Sequence, residues 1–277
     1  MKIDGKTIAA AILEDLRVQT QHLLQKRITP HLYIILLSDD ASSTSYVKQK
    51  MLRGEEIKVK ITVEKENPNL KTAELIEKIK KLNSDKNIHG IIVQRPLPEQ
   101  IDEEAVALAV DPKKDIDGFN PNSKFNAPVA LAVLKLLQNT HKDDFESWLK
   151  TQNITVIGKG VTAGKPIISF LKNLEITPNI ISSQTSDRKE LLQNSDIIIS
   201  AVGKANSLNS TEIKKNAVLI GVGMHKGIDS KFHGDFDEEK IQSVVSFYSP
   251  TPGGVGPVNV ACLMQNLIEA TKDTLTT

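Results

Sequence analysis

A short apolar run passes directly into a glycine-rich turn in the stretch Ile154-Thr155-Val156-Ile157-Gly158-Lys159-Gly160-Val161-Thr162-Ala163-Gly164-Lys165-Pro166. A continuous run of β-branched residues predicts a strand that is covered on both faces, as in a parallel sheet. The glycines predict a tight turn with little side-chain bulk, and a helical pattern follows as far as Leu174. The stretch therefore predicts a strand, a glycine turn and a helix in direct succession.

The same alternation continues through the second half of the chain. Strands are predicted at 179–182, 196–201 and 217–222, and helices at 188–194 and 210–215. Strands that alternate with helices after a glycine turn are typical of a doubly wound parallel sheet. We therefore predict a Rossmann-like domain over residues 139–256.

The first half is also predicted to be α/β. Strands are predicted at 32–37, 59–63 and 88–93, and helices at 5–25, 46–56, 71–82, 103–109 and 129–137. A last amphipathic helix, at 258–270, follows the Rossmann-like segment, and we expect it to pack back on the first domain because the second sheet is otherwise complete. The predicted first domain thus spans residues 1–138 and is completed by the C-terminal segment 257–277.

Composition limits the classes of function. The chain has 277 residues and a formal net charge of +1. This charge does not indicate binding to nucleic acid or to an anionic membrane. Its apolar runs are far shorter than the roughly 20 residues of a membrane span, and the charged N-terminal residues do not resemble a signal peptide. Cys262 is the single cysteine, and the spacing of His89, His225 and His233 is not that of metal ligands. We expect a cytoplasmic protein without a metal site.

The glycine turn has a possible chemical use. Gly158, Gly160 and Gly164 would let backbone N–H groups and a helix start approach a pyrophosphate. The spacing is one residue longer than the usual dinucleotide fingerprint, so a turn without a ligand stays an alternative. The second strand ends at 182–186 without an acid for a ribose hydroxyl, whereas Lys159 offers a cation for a 2′-phosphate. This pattern favours NADP over NAD, and NAD stays possible.

Two other segments suit a flat heterocycle. Pro252-Gly253-Gly254-Val255-Gly256-Pro257 predicts a fixed backbone path almost free of side chains. Tyr46 and Lys50 lie four residues apart and share one face of their predicted helix. A solvated helix lysine and a core tyrosine are the alternatives for this pair.

Four ordered motifs carry a resemblance to a known family. They are Ser43 with Tyr46-Val47 and Lys50, then Gly90-Ile91-Ile92-Val93-Gln94-Arg95-Pro96-Leu97-Pro98, Lys114-Asp115-Ile116-Asp117-Gly118-Phe119, and the glycine–proline motif at 252–257. On these motifs the chain resembles the bifunctional methylenetetrahydrofolate dehydrogenase/methenyltetrahydrofolate cyclohydrolase family over nearly its whole length.

The resemblance implies a reaction and roles for four residues. It implies NADP-linked oxidation of 5,10-methylenetetrahydrofolate and hydrolysis of the methenyl product to 10-formyltetrahydrofolate. Lys50 would handle protons, Gln94 would orient Lys50, Tyr46 would stack on the substrate, and Asp117 would accept hydrogen bonds from the pteridine. Asp117 as a turn residue before Gly118, and Gln94 as a strand-end cap, stay open as alternatives.

The resemblance also implies binding segments and an assembly. Folate would lie against Pro252, Gly253, Gly254, Gly256 and Pro257, in a cleft between the two domains. The cofactor would contact Gly158, Lys159, Gly160, Gly164, Pro166, Val202 and Gly203. By resemblance the protein would be a homodimer that binds tetrahydrofolate derivatives.

Several positions depart from the family pattern. The usual Gly-Arg-Ser of the cofactor turn is Gly158-Lys159-Gly160, a usual Pro-Cys-Thr-Pro is Ala127-Pro128-Val129-Ala130, and a usual lysine is Leu52. Lysine is a point charge and lacks the fork of a guanidinium, which puts 2′-phosphate binding in question. A cyclohydrolase with one activity, or a non-catalytic folate-binding paralog, therefore remains an alternative function.

Overall fold

The computed structural model describes residues 1–38 and 40–275, except for the side chains of residues 41 and 42. The chain divides into two compact units. Ala10–Pro128 and Val260–Thr277 form one, here named the three-stranded unit, and Met1–Ala9 and Val129–Asn259 form the other, here named the five-stranded unit. The domain division predicted after residue 138 stays a prediction, and residues 276 and 277 of the predicted C-terminal segment lie outside the described residues.

Helices and strands alternate along most of the described chain. The helices are α1 (Gly5–Gln25), α2 (Ala41–Glu56), α3 (Thr72–Ser84), α4 (Glu103–Ala109), α5 (Pro128–Thr140), α6 (Phe145–Thr151), α7 (Gly164–Asn173), α8 (Arg188–Asn194), α9 (Glu238–Ile241) and α10 (Val255–Asp273). The strands are β1 (His31–Leu36), β2 (Lys60–Lys65), β3 (Gly90–Gln94), β4 (Ile154–Ile157), β5 (Asn179–Ile181), β6 (Ile197–Ser200), β7 (Val218–Gly221), β8 (Met224–Lys226), β9 (Phe232–Gly234) and β10 (Phe247–Tyr248). The exceptions to the alternation are α4, α5 and α6, which are consecutive, and β7, β8 and β9, which are also consecutive. Over residues 1–38 and 40–275, no helix has the length and apolar character needed to cross a membrane.

The three-stranded unit is built on a parallel sheet in the order β2-β1-β3. Ile35 of β1, Ile79 of α3 and Ile91 of β3 are fully buried in its core. The register pairs Leu36 with Gln94, so β1 and β3 end at the same edge of the sheet. Side chains that follow either strand are thereby placed close together.

Two helices, α2 and α10, begin earlier than the sequence pattern predicts. Helix α2 starts at residue 41 and not at 46, because the Asp40 carboxylate accepts a hydrogen bond from the Ser43 N–H over 2.9 Å and so caps the first turn. Helix α10 starts at Val255 and not at 258. From Val260 onward it belongs to the three-stranded unit, as predicted, and there the Asn266 amide donates to the Ile116 carbonyl over 2.9 Å.

The five-stranded unit is built on a second parallel sheet, in the order β10-β7-β6-β4-β5. Strand order reverses at β4, as in a doubly wound sheet, and the predicted α/β fold class is confirmed. The helix predicted at 210–215 is instead one 3₁₀ turn, Ser210–Glu212, because Ile213 is already extended. The antiparallel hairpin β8–β9 was not predicted, since strands of three residues are too short to show a period.

Candidate functional site

The Lys50 amine lies buried inside the three-stranded unit. Its side chain points from α2, the residue is only 4% exposed, and its Nζ donates a hydrogen bond to Gln94 Oε1 over 2.9 Å. Burial lowers the pKa of the amine from its usual value, and the negative charge of Asp117 opposes that shift. Lys50 is therefore not the solvated helix lysine of the alternative interpretation.

Tyr46 lies one helical turn before Lys50, on the same face of α2. The Lys50 Nζ is 5.9 Å from the centroid of the Tyr46 ring. The Tyr46 residue is half-buried, so its ring is not an ordinary core side chain. This is the shared helix face that the spacing of four residues predicts.

Gln94 lies at the last position of β3, and both its amide oxygen and its amide nitrogen form hydrogen bonds. Its Oε1 accepts from Lys50, while its Nε2 donates to the Arg95 carbonyl over 2.8 Å. The Ser43 hydroxyl donates to that same carbonyl over 3.1 Å. The end of β3 is thus tied to α2 through Ser43 and Lys50, and Gln94 holds Lys50 without adding a charge.

The loop that carries Asp117 contains a second acid, Asp115, which the sequence analysis did not single out. Asp115 is buried, its carboxylate accepts from the Asn120 N–H over 2.7 Å, and burial raises its pKa to about 6. Gly118 has a φ of +72°, and a Cβ there would lie 2.8 Å from the Ala127 nitrogen. The turn after the half-buried Asp117 therefore requires glycine.

Arg95 is another residue that the motif left unassigned. Its guanidinium lies 4.3 Å from the centroid of the Phe119 ring and forms an ion pair with Glu103. Because the Arg95 side chain is only 8% exposed, this stacked cation is fixed in place and links the end of β3 to the Asp117 loop.

A cavity of about 330 Å³ opens beyond the carboxyl ends of the β1, β2 and β3 strands. Its lining residues are Leu36, Leu37, Ser38, Lys65, Glu66, Pro68, Pro96, Leu97 and Pro98. The volume lies within the range of small-molecule sites, about 300–1,000 Å³. The turn Pro96–Pro98, which immediately follows Gln94 and Arg95, is thus one wall of a ligand-sized space.

In the five-stranded unit, the turn between β4 and α7 has the predicted strand–turn–helix form. Gly158 has a φ of +91°, and a Cβ on Gly164 would lie 2.1 Å from the Gly158 carbonyl oxygen. These two glycines are explained by packing alone. Gly160 is not, because a Cβ there would meet nothing within 4 Å. Its open surroundings, and a helix start without a side-chain cap, suit a phosphate at the start of α7.

The other predicted cofactor residues lie near this turn in sequence or in space. Lys159 is exposed and Pro166 is half-buried in the first turn of α7. Val202 and Gly203 follow the end of β6, and Gly203 has a φ of +72°. The loop from 201 reaches the glycine turn, because a Cβ on Gly158 would lie 2.5 Å from the Ala201 carbonyl oxygen.

The Val202–Gly203 loop is held by Asp235, a residue that no sequence motif singles out. Asp235 is fully buried just after β9, and its carboxylate accepts from the Val202 and Gly203 N–H groups over 2.9 and 2.7 Å. It also accepts from the Lys204 N–H over 3.1 Å and from the Ser200 hydroxyl over 2.6 Å. Four donors thus converge on one carboxylate.

The glycine–proline motif lies in the five-stranded unit and combines a turn with a helix start. Gly253 has a φ of +107°, and a Cβ on Gly254 would lie 2.5 Å from the Pro250 carbonyl oxygen. Gly256 and Pro257 are not in an extended path, because α10 has already begun at Val255. A Cβ on Gly256 would meet nothing within 4 Å, so packing in this chain does not require a glycine there.

Comparisons with known proteins agree with the resemblance drawn from the motifs. Residues 3–117 match the family model for the tetrahydrofolate dehydrogenase/cyclohydrolase catalytic domain, and residues 127–275 match the model for its NAD(P)-binding domain. The bifunctional protein FolD of Halalkalibacterium halodurans is 35% identical over an alignment 280 residues long, which covers 98% of each chain. That of Lacticaseibacillus casei is 34% identical over 275 residues, which cover 98% of this chain and 97% of the relative.

Solved structures resemble the chain over its full length. The bifunctional FolD methylenetetrahydrofolate dehydrogenase/cyclohydrolase of Campylobacter jejuni matches with a TM-score of 0.92 and 33% identity, over 99% of both chains. The methylenetetrahydrofolate dehydrogenase-cyclohydrolase of Trypanosoma brucei, solved with NADP cofactor and an inhibitor, matches with a TM-score of 0.90 and 27% identity, over 100% of this chain and 99% of that one.

Proposed function

This chain belongs to the tetrahydrofolate dehydrogenase/cyclohydrolase family, and we propose on that premise that it oxidises 5,10-methylenetetrahydrofolate with NADP and hydrolyses the methenyl product to 10-formyltetrahydrofolate. The observation that carries the proposal is the buried Lys50 amine, held by Gln94 at 2.9 Å and with a lowered pKa. A lysine can accept a proton only when its pKa approaches the working pH, and burial shifts the pKa of Lys50 in that direction.

In the proposed hydrolysis, Lys50 moves the proton. The neutral amine accepts a proton from water as the water oxygen bonds to the methenyl carbon. The bond from that carbon to N5 then breaks, N5 takes a proton from the Lys50 ammonium, and the hydroxyl proton leaves as the formyl C=O forms. The sum is one water consumed and one proton released. Gln94 holds the amine in position throughout, and it does so without a charge that would raise the pKa of Lys50.

The proposed oxidation requires the protein to position the substrate and the cofactor more than to transfer a proton. Tyr46 offers a half-buried ring on the Lys50 side of α2, which suits stacking on a flat substrate. The Asp117 carboxylate is the proposed acceptor for the N–H groups of the pteridine. The backbone of Pro252, Gly253, Gly254, Gly256 and Pro257 is proposed to lie against the folate.

NADP supplies the acceptor for the hydride that leaves the methylene carbon. The residues of this chain suit such a group, because Gly160 leaves open space beside an uncapped helix start. Gly158 and Gly164 shape the proposed pyrophosphate turn, Pro166 lies in the helix behind it, and Val202 and Gly203 form the neighbouring loop. The exposed Lys159 is the proposed partner of the 2′-phosphate, and NAD is the alternative cofactor if that contact is weak.

The assembly and location are proposed from the same premise. We propose a cytoplasmic homodimer that binds tetrahydrofolate derivatives, with a folate-binding domain over residues 1–138 plus 257–277 and a nucleotide-binding domain over 139–256. The near-zero net charge, +1, gives no reason to propose a nucleic-acid or membrane partner.

One assay tests both proposed steps. Purified protein is mixed with 5,10-methylenetetrahydrofolate and either NADP or NAD, and reduced nicotinamide and the methenyl absorbance are followed together. Reduction that depends on NADP, with little accumulation of the methenyl form, is the expected result. No reduction with either nucleotide contradicts the dehydrogenase, and added methenyl substrate then separates a cyclohydrolase from a non-catalytic folate-binding protein.

A further inference from the structure

The Asp235 carboxylate is bound as an internal anion within the five-stranded unit. It is fully buried, and the donors around it are three consecutive backbone N–H groups and one hydroxyl. No lysine or arginine side chain within the described residues pairs with it; backbone N–H groups and Ser200 provide its recorded hydrogen bonds. A buried charge held by four donors is well stabilised, and the loss of one acceptor would leave buried N–H groups unpaired.

A glycine next to the Asp235 carboxylate makes room for this side chain. A Cβ on Gly223 would lie 2.2 Å from an Asp235 carboxylate oxygen, so the glycine keeps the space open. The main chain of Asp235 also forms hydrogen bonds with the loop 202–208. Its carbonyl accepts from the Ser207 hydroxyl over 3.3 Å and from the Leu208 N–H over 3.4 Å. Asp235 therefore fixes both ends of the loop 202–208 from a single position.

The loop that Asp235 fixes lies where a doubly wound sheet binds its ligands. Strand β6 lies between β4 and β7, and residues 202–204 leave its carboxyl end. Ligands of open α/β sheets bind beyond the carboxyl ends of the strands, near the point where the strand order reverses. The same loop touches the glycine turn, because the Ala201 carbonyl lies against Gly158. A shift of the loop would therefore change the shape of the proposed nucleotide site beside the glycine turn.

We propose that Asp235 is a positioning residue for the nicotinamide nucleotide, which sets the conformation of residues 202–204 without contacting the nucleotide itself. The inference rests on the proposed function, since it assumes that the dinucleotide binds over this loop. The N–H groups of residues 202–204 already donate hydrogen bonds to the Asp235 carboxylate. The loop therefore presents its surface to the ligand in one fixed shape.

Asp235→Asn is the variant that tests this role. Asparagine keeps the size of the side chain but replaces one acceptor oxygen by an NH₂ group that faces N–H donors. We expect the dissociation constant for NADP, measured by titration calorimetry on the full chain, to rise by about tenfold or more. The cyclohydrolase rate with methenyltetrahydrofolate should change by less than about twofold, since Asp235 lies outside the three-stranded unit that holds Lys50.

The matched control is Asp229→Asn. Asp229 lies in the turn of the β8–β9 hairpin, is half-exposed, and bonds to His233 and the Lys231 N–H but not to the loop 202–204. This control makes the same change of charge and should leave NADP binding as it is in the wild type. Wild-type affinity in a folded Asp235→Asn protein would overturn the inference, and so would an equal loss of NADP binding and cyclohydrolase rate.

A second variant decides the question if Asp235→Asn does not fold. Ser200→Ala removes one of the four donors and leaves the carboxylate charged and held by three N–H groups. We expect a smaller loss of NADP affinity in the same direction, about threefold. Unchanged NADP affinity in this variant would overturn the inference. Failure of the proposed function would look different, because the wild-type protein itself would then bind no NADP.

Discussion

Lys50 and Gln94 meet between helix α2 and the end of strand β3, where the Lys50 Nζ donates to Gln94 Oε1 over 2.9 Å. The two residues are 44 positions apart in the chain and are brought together because α2 packs beside the carboxyl end of β3. The amine is buried and its hydrogen-bond acceptor, the Gln94 amide, is neutral, a combination that favours the uncharged form of a lysine.

Lys50→Met should remove the cyclohydrolase activity, by about a hundredfold or more, since the proton acceptor is lost while the volume of the side chain is nearly kept. Folate affinity should stay within about threefold. Lys50 is only 4% exposed, and a methionine of similar volume can fill the space that the apolar part of the lysine side chain occupies. The rate of methenyl decay and a folate-binding titration measure the two effects. Lys48→Met, exposed on the same helix, is the control. Equal losses of binding and hydrolysis would mean that Lys50 is structural.

Gln94→Glu should move the cyclohydrolase pH profile to higher pH. A carboxylate at the position of the Gln94 amide would favour the charged form of the Lys50 amine and raise its pKa. Because hydrolysis needs the neutral amine, the rate near pH 7 should fall by about tenfold and recover as the pH rises. The full pH–rate profile is the measurement. A uniform loss at every pH would contradict this reasoning, and Gln49→Glu, exposed on α2, controls for added charge.

The proposed catalytic lysine, Lys50, could be selected from the sequence, whereas Asp235 could not. Lys50, Tyr46 and Gln94 belong to motifs, and a spacing of four residues predicts a shared helix face for the first two. Asp235 has no such signal, because its partners are backbone N–H groups that any sequence supplies and that only the folded loop brings together. The start of α2 was missed for a related reason, since the cap at Asp40 outweighs the weak helix preference of the serines that follow.

The stability of the protein should fall as the pH drops below about 6.5, and two buried histidines are the cause. His31 and His89 lie at the start of β1 and just before β3, and burial lowers the pKa of both. His89 Nδ1 accepts from the His31 N–H over 3.2 Å, so it must be unprotonated in the folded state. The unfolded chain therefore takes up protons at a higher pH than the folded one, and the free energy of unfolding decreases through that range.

Urea denaturation of His89→Asn at several pH values measures this effect. Asparagine can keep an acceptor near the position of Nδ1 but does not titrate, so the decline of the unfolding free energy between pH 7.5 and 5.5, roughly one unit on either side of the usual histidine pKa, should be shallower than in the wild type. His22→Asn, exposed on α1, should leave the decline unchanged. A wild-type slope in His89→Asn would show that this histidine is not responsible.

Asp115 should act in the opposite direction. Its pKa is raised to about 6 by burial, so the folded state favours the protonated acid, and the stability from this group is lost as the pH rises through about 6. Asp115→Asn should therefore remove a destabilisation of about 2 kcal/mol at pH 8, measured as the difference between unfolding free energies at pH 8 and at about pH 4, near the usual pKa of an aspartate. Asp143→Asn, exposed just before α6, is the control. An identical pH dependence in Asp115→Asn and the wild type would contradict the prediction.

Lys159→Ala should weaken NADP binding and spare NAD binding. The Lys159 side chain is exposed beside the open space at Gly160, at the start of α7, and it is the cation that the glycine turn itself offers to a 2′-phosphate. A single ammonium without the fork of an arginine should contribute about 1 kcal/mol, which corresponds to an NADP KM about fivefold higher. Lys165→Ala, exposed one residue into the same helix, controls for a general loss of positive charge. If Lys159→Ala raises the KM values for NADP and NAD equally, the lysine does not distinguish the two cofactors, and the 2′-phosphate must be bound elsewhere or not at all.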